Sequence, residues 1–159
     1  MTTDNDRVLT ALARVPDPEI PVVSVVDLGM IESVRAGEDG CLLVELLPTY
    51  VACPATNIIL EDVRSALREE FGQREVRVTF SYAKPWTTDR IALGTAAKLT
   101  ELEISLDGDC CFCHSKHTEL ISEFGPTPCR SAHFCLDCRN AFELFKTKVE
   151  AGRVEIQRR

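Results

Sequence analysis

The sequence predicts an α/β (α+β) fold, a small mixed sheet with helices on one face, followed by a compact C-terminal module rich in cysteine. Three observations predict it. Ile59, Val63, Ala66 and Leu67 recur at the spacing of one buried helix face. Val76, Val78, Phe80 and Tyr82 alternate with Arg77, Thr79 and Ser81, the period of a half-buried strand. Six of the eight cysteines, Cys110, Cys111, Cys113, Cys129, Cys135 and Cys138, fall within one short segment.

In chain order, Thr3 and Asp6 form a capping-box pattern ahead of Val8, Leu9, Leu12 and Val15, which mark one face of a short helix. Pro16 stops it. Three prolines within Val15 to Pro21 exclude regular structure and stiffen a loop that carries Asp17 and Glu19. On residue type alone these two acids read as solvated loop surface. Val22 to Leu28 is apolar, a strand or a helical turn, and Gly29 breaks it. Met30 to Arg35 and Cys41 to Leu47 read as a hairpin across Gly37-Glu38-Asp39-Gly40. A helix to about Phe71 follows, with Gly72 placed to cap it. After the next strand, Thr87 or Thr88 can cap a helix carrying Ile91, Leu93, Ala96, Ala97 and Leu99. Trp86, the single tryptophan, reads as a cover for the sheet edge. One helical layer on a small mixed sheet buries all these faces. A domain boundary is expected near Asp107-Gly108-Asp109.

The chain has 159 residues and a formal net charge of -7, which disfavours nonspecific nucleic-acid binding. No apolar run approaches a membrane span, and the polar, acidic start differs from a secretory signal, so a cytoplasmic protein is expected. Clustered cysteines in such a chain point to a metal before disulfides.

Two stretches carry chemistry. The first is Cys53, at a strand-to-helix junction. With Pro54 at the first helical position, the helix start would favour a thiolate able to ligate a metal, attack a disulfide or accept sulfur. A buried cysteine that fills space is the alternative. The second is Cys110-x2-Cys113 and Cys135-x2-Cys138, separated by 21 residues. Each pair makes a tight turn that points two sulfurs at one tetrahedral centre, and the spacing suits a zinc ribbon closed by a structural zinc. Cys129 is a spare sulfur that could replace a ligand, assist transfer or pack. His114, His117 and His133 read as surface residues. Phe142 and Phe145 are placed to cover the module's own core.

The same residues carry a resemblance. Asp17-Pro18-Glu19-Ile20-Pro21, Val25 to Met30, Thr49-Tyr50-x2-Cys53-Pro54-Ala55-Thr56 and Pro85-Trp86-Thr87-Thr88-Asp89 resemble the PaaD family, small subunits encoded with the phenylacetyl-CoA epoxidase (ring 1,2-epoxidase) system. The module matches as well, through both Cys pairs, Thr127-x-Cys129 and Phe142-x2-Phe145-Lys146. The similarity spans about residues 7 to 146, and the first domain is similar to SufT-like iron–sulfur assembly factors. The resemblance implies residues 1–107 as the assembly domain, 108–146 as the four-cysteine module and 147–159 as a tail. It implies an accessory protein, itself no catalyst, that assists assembly or maintenance of the iron–sulfur cluster in the epoxidase reductase during aerobic phenylacetate degradation. The implied active loop holds Asp17, Glu19, Asp27, Thr49 and Cys53 and binds iron or a cluster transiently. The implied partners are that reductase, the assembly machinery and a second copy of the chain, with no nucleic acid and no membrane. Two other functions stay open at this point: a structural subunit of the epoxidase, or a thiol-disulfide oxidoreductase using Cys53 with Cys129 as its resolving thiol.

Overall fold

A computed structural model describes residues 3–146, and the tail expected at 147–159 lies outside them. Helix α1 (Asp4–Leu12) opens with the expected capping box. The Thr3 N–H donates to Asp6 Oδ2 at 3.0 Å, and the Asp6 N–H returns to Thr3 Oγ1 at 3.2 Å. These bonds satisfy donors that a helix start leaves open.

Strands β1 (Ile31–Ala36) and β2 (Leu42–Leu46) form an antiparallel hairpin. Helix α2 (Thr56–Phe71) then crosses over to β3 (Val76–Phe80), which pairs parallel to β2. The resulting sheet has the order β1-β2-β3. Ile59, Val63 and Leu67 of α2, Val8 and Leu12 of α1, Leu42, Val44 and Leu46 of β2, and Val78 of β3 are all buried in one core. Both periodicities that predict the fold thus meet face to face.

The segment after β3 differs from expectation. Thr88–Arg90 form one 3-10 turn, and the helix α3 (Thr95–Glu101) starts only after Gly94, whose φ of 88° is the left-handed conformation that glycine accommodates. Ile91 and Leu93 are therefore outside the helix. Trp86 is buried in the core, with its indole N–H donating to the Leu28 carbonyl at 2.7 Å.

A second sheet has the order β4-β7-β6-β5. It is built from β4 (Ile104–Ser105), β5 (Thr118–Ser122), β6 (Arg130–Cys135) and β7 (Ala141–Phe145). The short β4 lies upstream of the first cysteine knuckle and pairs parallel with β7, the last strand. Phe142 covers the small core around Cys110 and Cys135. Phe145, expected beside it, instead enters the large core, where its ring lies 5.6 Å from that of Trp86. The second sheet is thereby docked on the first unit through an aromatic pair.

Among the described residues, no helix is long and apolar enough to cross a membrane.

Candidate functional site

The acidic loop is folded tightly despite its prolines. The Asp17 N–H donates to the Val23 carbonyl and the Val25 N–H to the Val15 carbonyl. Asp17, expected at the surface, is buried, and its Oδ1 accepts the N–H groups of Glu19 and Ile20, both at 2.9 Å. This bracing fixes the loop. Glu19 is half-buried; burial and then the charge of Asp17 push its carboxyl above the usual range, against the opposing pull of Arg130.

Asp27 does a different task. Its Oδ2 accepts the Ser24 N–H at 2.9 Å while its own N–H donates to Ser24 Oγ, and Lys98 Nζ lies 3.7 Å from the same carboxylate. Asp27 holds the turn before Leu28 and ties it to α3. Thr49 is half-buried in the turn that leads to Cys53.

Cys53 sits between two turns. Its N–H donates to the Tyr50 carbonyl, and its carbonyl accepts the Thr56 N–H at 3.4 Å and the Thr56 hydroxyl at 3.2 Å. Helix α2 begins at Thr56 with Ala55 as its cap, so Pro54 precedes the helix and does not occupy its first turn. The expected low pKa is also overturned. Burial pushes the Cys53 thiol up, reinforced by Glu19, Cys129 and Asp17, and the Ala55 N–H bond opposes this. The neutral thiol is thereby favoured over the thiolate. A metal that binds it has to displace the proton.

Cys129 stands apart from the knuckles. It is buried in the large core, not in the small one, which removes it as an alternative ligand of the four-cysteine site. Its Sγ lies 3.1 Å from Thr127 Oγ1, which in turn accepts a bond from Arg130 Nε at 2.8 Å. Arg130 Nη1 is 2.6 Å from Glu143 Oε2. The Cys129 carbonyl accepts the Lys146 N–H, and Lys146 Nζ lies 4.0 Å from the centre of the Phe124 ring and 5.3 Å from that of Tyr50. The ribbon therefore touches the Cys53 turn through Tyr50. Sequence reasoning missed Arg130 and Glu143. Their only local signal is an arginine beside a cysteine, which is common on any surface strand.

The four knuckle cysteines come together as expected. Their sulfurs all lie within 4.8 Å of one another, with Cys110–Cys138 at 3.5 Å and Cys113–Cys135 at 3.6 Å. A disulfide would need about 2 Å. Four thiolates about 2.3 Å from a tetrahedral zinc are about 3.8 Å apart, so the set fits such an ion. The two knuckles share one backbone form. The residue after each pair, His114 and Arg139, has a positive φ of 59° and 62°. The His114 N–H donates back to the Cys110 carbonyl and the Arg139 N–H to that of Cys135. Backbone and side-chain donors also reach the sulfurs, from the Phe112 N–H to Cys110 and from Asn140 Nδ2 to Cys138. The Asn140 bond holds the Cys138 thiol down at about 6. His117 and Ser115 both contact Asp137, linking the first knuckle to the second.

Two family profiles match the chain. "Iron-sulfur cluster assembly protein" covers residues 5–80 and "PaaD zinc beta ribbon domain" covers residues 95–146. The fold and these cysteines define a class, an iron–sulfur assembly domain joined to a four-cysteine β ribbon. Within that class the chain belongs to the PaaD family. It is 37% identical over 147 residues to an Escherichia coli K12 protein described as a component of 1,2-phenylacetyl-CoA epoxidase, covering 85% of this chain and 88% of that one. It is 36% identical over 92 residues to an Fe-S protein maturation auxiliary factor of Porphyromonas gingivalis, covering 58% of this chain and 86% of that one. A crystal structure of a domain of unknown function from Bacillus anthracis superposes with a TM-score of 0.54 at 26% identity, covering 59% of this chain and 89% of that one.

Proposed function

We propose that this chain is an accessory maturation protein for the iron–sulfur cluster of the reductase component of a phenylacetyl-CoA epoxidase, acting in the cytoplasm. Cys53 is the thiol that takes iron or a cluster, and the four-cysteine module holds a structural zinc. Residues 1–107 carry the acceptor thiol and 108–146 the ribbon, and a second copy or the assembly machinery meets the chain at Cys53. The observation that carries this reading is the position of Cys53. It lies half-buried between two turns, packed against the large core and next to the start of helix α2, where a soft sulfur ligand is held in a fixed backbone frame. The relatives described as maturation factors support the same class of function.

The test is Cys53→Ser in cells that lack the native copy. The fold and knuckle metal are expected to persist while the co-expressed reductase loses cluster occupancy. Full cluster content with the serine variant would reduce Cys53 to a packing residue. Turnover by already matured components should not need this chain. A requirement for it there would make it a working part of the epoxidase.

Thiol–disulfide exchange has one specific observation behind it, the packing of Cys53 against the same core that holds Cys129. It predicts a Cys53–Cys129 disulfide when oxidised small thiols are supplied, with release of the reduced thiol. Peptide mapping under those conditions separates the two functions.

A further inference from the structure

We propose that Tyr50, Val51, Phe124 and Lys146 form a docking face for an acidic segment of the client protein, one that carries a carboxylate among apolar side chains. The inference rests on the assignment of Cys53 as the iron-handling thiol and adds how the receiving protein is held beside it.

Geometry is the first argument. Lys146 Nζ lies 4.0 Å from the centre of the Phe124 ring and 5.3 Å from that of Tyr50. Both distances are within the reach of a cation–π contact, about 6 Å. The Lys146 N–H donates to the Cys129 carbonyl at 2.9 Å, so the side chain starts from a fixed point on the ribbon. The Tyr50 carbonyl accepts the Cys53 N–H at 3.1 Å, and Val51 lies between these two residues in the same turn. The face and the thiol therefore share one turn, and both halves of the chain contribute to the face.

Exposure is the second argument. Phe124 is 61% exposed and Val51 71% exposed. A lysine that only ties the ribbon to the turn has no need of a phenylalanine left mostly in water. Large apolar side chains in water next to a fixed cation have the make-up of an interface, with apolar anchors around a directed charge.

Charge decides the occupant. Asp and Glu outnumber Lys and Arg by 25 to 18 in this chain. Lys84 and Lys98 each pair with a carboxylate. Among the described residues Lys146 pairs with none, and the exposed Glu123 beside Phe124 does not reach it. An ammonium already held over two rings loses little freedom when it meets a carboxylate. The apolar neighbours favour a protein segment over a free anion, and the net charge of -7 repels a nucleic acid.

Titration calorimetry of the full-length chain against the cluster-free reductase component, at low and at physiological salt, tests the face. Lys146→Met keeps the stem and removes the charge. It should weaken binding about tenfold and flatten the salt dependence, with a melting temperature close to wild type. Phe124→Ala should weaken binding about tenfold at both salts. Wild-type affinity and salt dependence in both variants overturn the face and leave Cys53 standing. Cys53→Ser should bind as the wild type does while failing to load the reductase. Full loading by that variant, with Lys146→Met still weakened, overturns the assignment of Cys53 and keeps the face. No binding by the wild type overturns the reductase as client and the face with it. A wild-type dimer that Lys146→Glu dissociates assigns the face to a second copy. Tighter binding by Glu150→Gln combined with Glu155→Gln assigns the cation to residues 147–159. Either of these last results overturns the inference.

Discussion

Trp86 and Leu28 are joined by a single hydrogen bond of 2.7 Å, from the indole N–H to a backbone carbonyl in the turn that follows Asp27. The ring of the tryptophan also meets Phe145, from the last strand of the ribbon. One side chain thereby connects the acidic-loop region, the segment before α3 and the second sheet. Trp86→Phe keeps most of the apolar area and orphans the Leu28 carbonyl. It should cost about 1–3 kcal/mol in urea unfolding. Trp86→Ala should cost about 3–5 kcal/mol. Equal stability of the phenylalanine variant and the wild type would show that water replaces the lost donor.

Gly29 is placed against the same region. Its φ is 63°, and a Cβ there would meet the Arg90 carbonyl oxygen at 2.0 Å. Arg90 cannot give way easily, since its Nε and Nη2 donate to the Gly29 and Ile31 carbonyls. Gly29→Ala should lower the melting temperature and destabilise the fold by about 1–3 kcal/mol. A melting temperature matching the wild type would mean that the Arg90 backbone moves freely.

Metal content gives a third expectation. One zinc per chain should be found, and Cys110→Ser or Cys138→Ser should release it. Because Phe145 packs on Trp86, loss of the metal should also be felt in the first core. Trp86 is the single tryptophan, so its emission reports this event alone. Chelation should shift the emission to the red as the indole loses its aromatic neighbour. Unchanged emission after complete metal loss would show that the ribbon stays docked without the ion.

The fourth expectation is a pH dependence. Burial, aided by Asp17, raises the Glu19 pKa above its usual value of 4.5. The folded chain then holds that proton more tightly than the unfolded chain. Its contribution to stability is present at low pH and is lost as the pH rises through the folded value. Glu19→Gln keeps a neutral side chain at every pH. The melting temperature of the variant relative to wild type should therefore grow as the pH is raised from about 4 to about 7. A constant difference would place Glu19 in full contact with water.

Much of the fold is legible in the sequence because its signals are local. The Ile59-Val63-Leu67 stripe, the alternation through Val78 and the two cysteine knuckles each depend on a few neighbouring residues. The start of α2 lies two residues beyond its expected place because a proline suits the position before a cap as well as the first turn. Asp17 reads as solvated because nothing in a Pro-rich loop announces that the acid folds inward onto the N–H groups of Glu19 and Ile20. Phe145 and Cys129 are hardest to place. Their partners lie in the other half of the chain, and no periodicity within the module distinguishes its own core from a shared one.

The placement of Phe145 has a consequence for how the protein comes into being. The first unit's core is not sealed until the last described strand has been made, because that strand supplies the ring that meets Trp86 and pairs with β4. A chain still emerging from the ribosome holds Trp86 well before Phe145. Until then the indole lacks its aromatic neighbour, and a chain truncated before residue 145 should show red-shifted tryptophan emission. The strand that closes the core around Trp86 is thus the last described part of the chain to be translated.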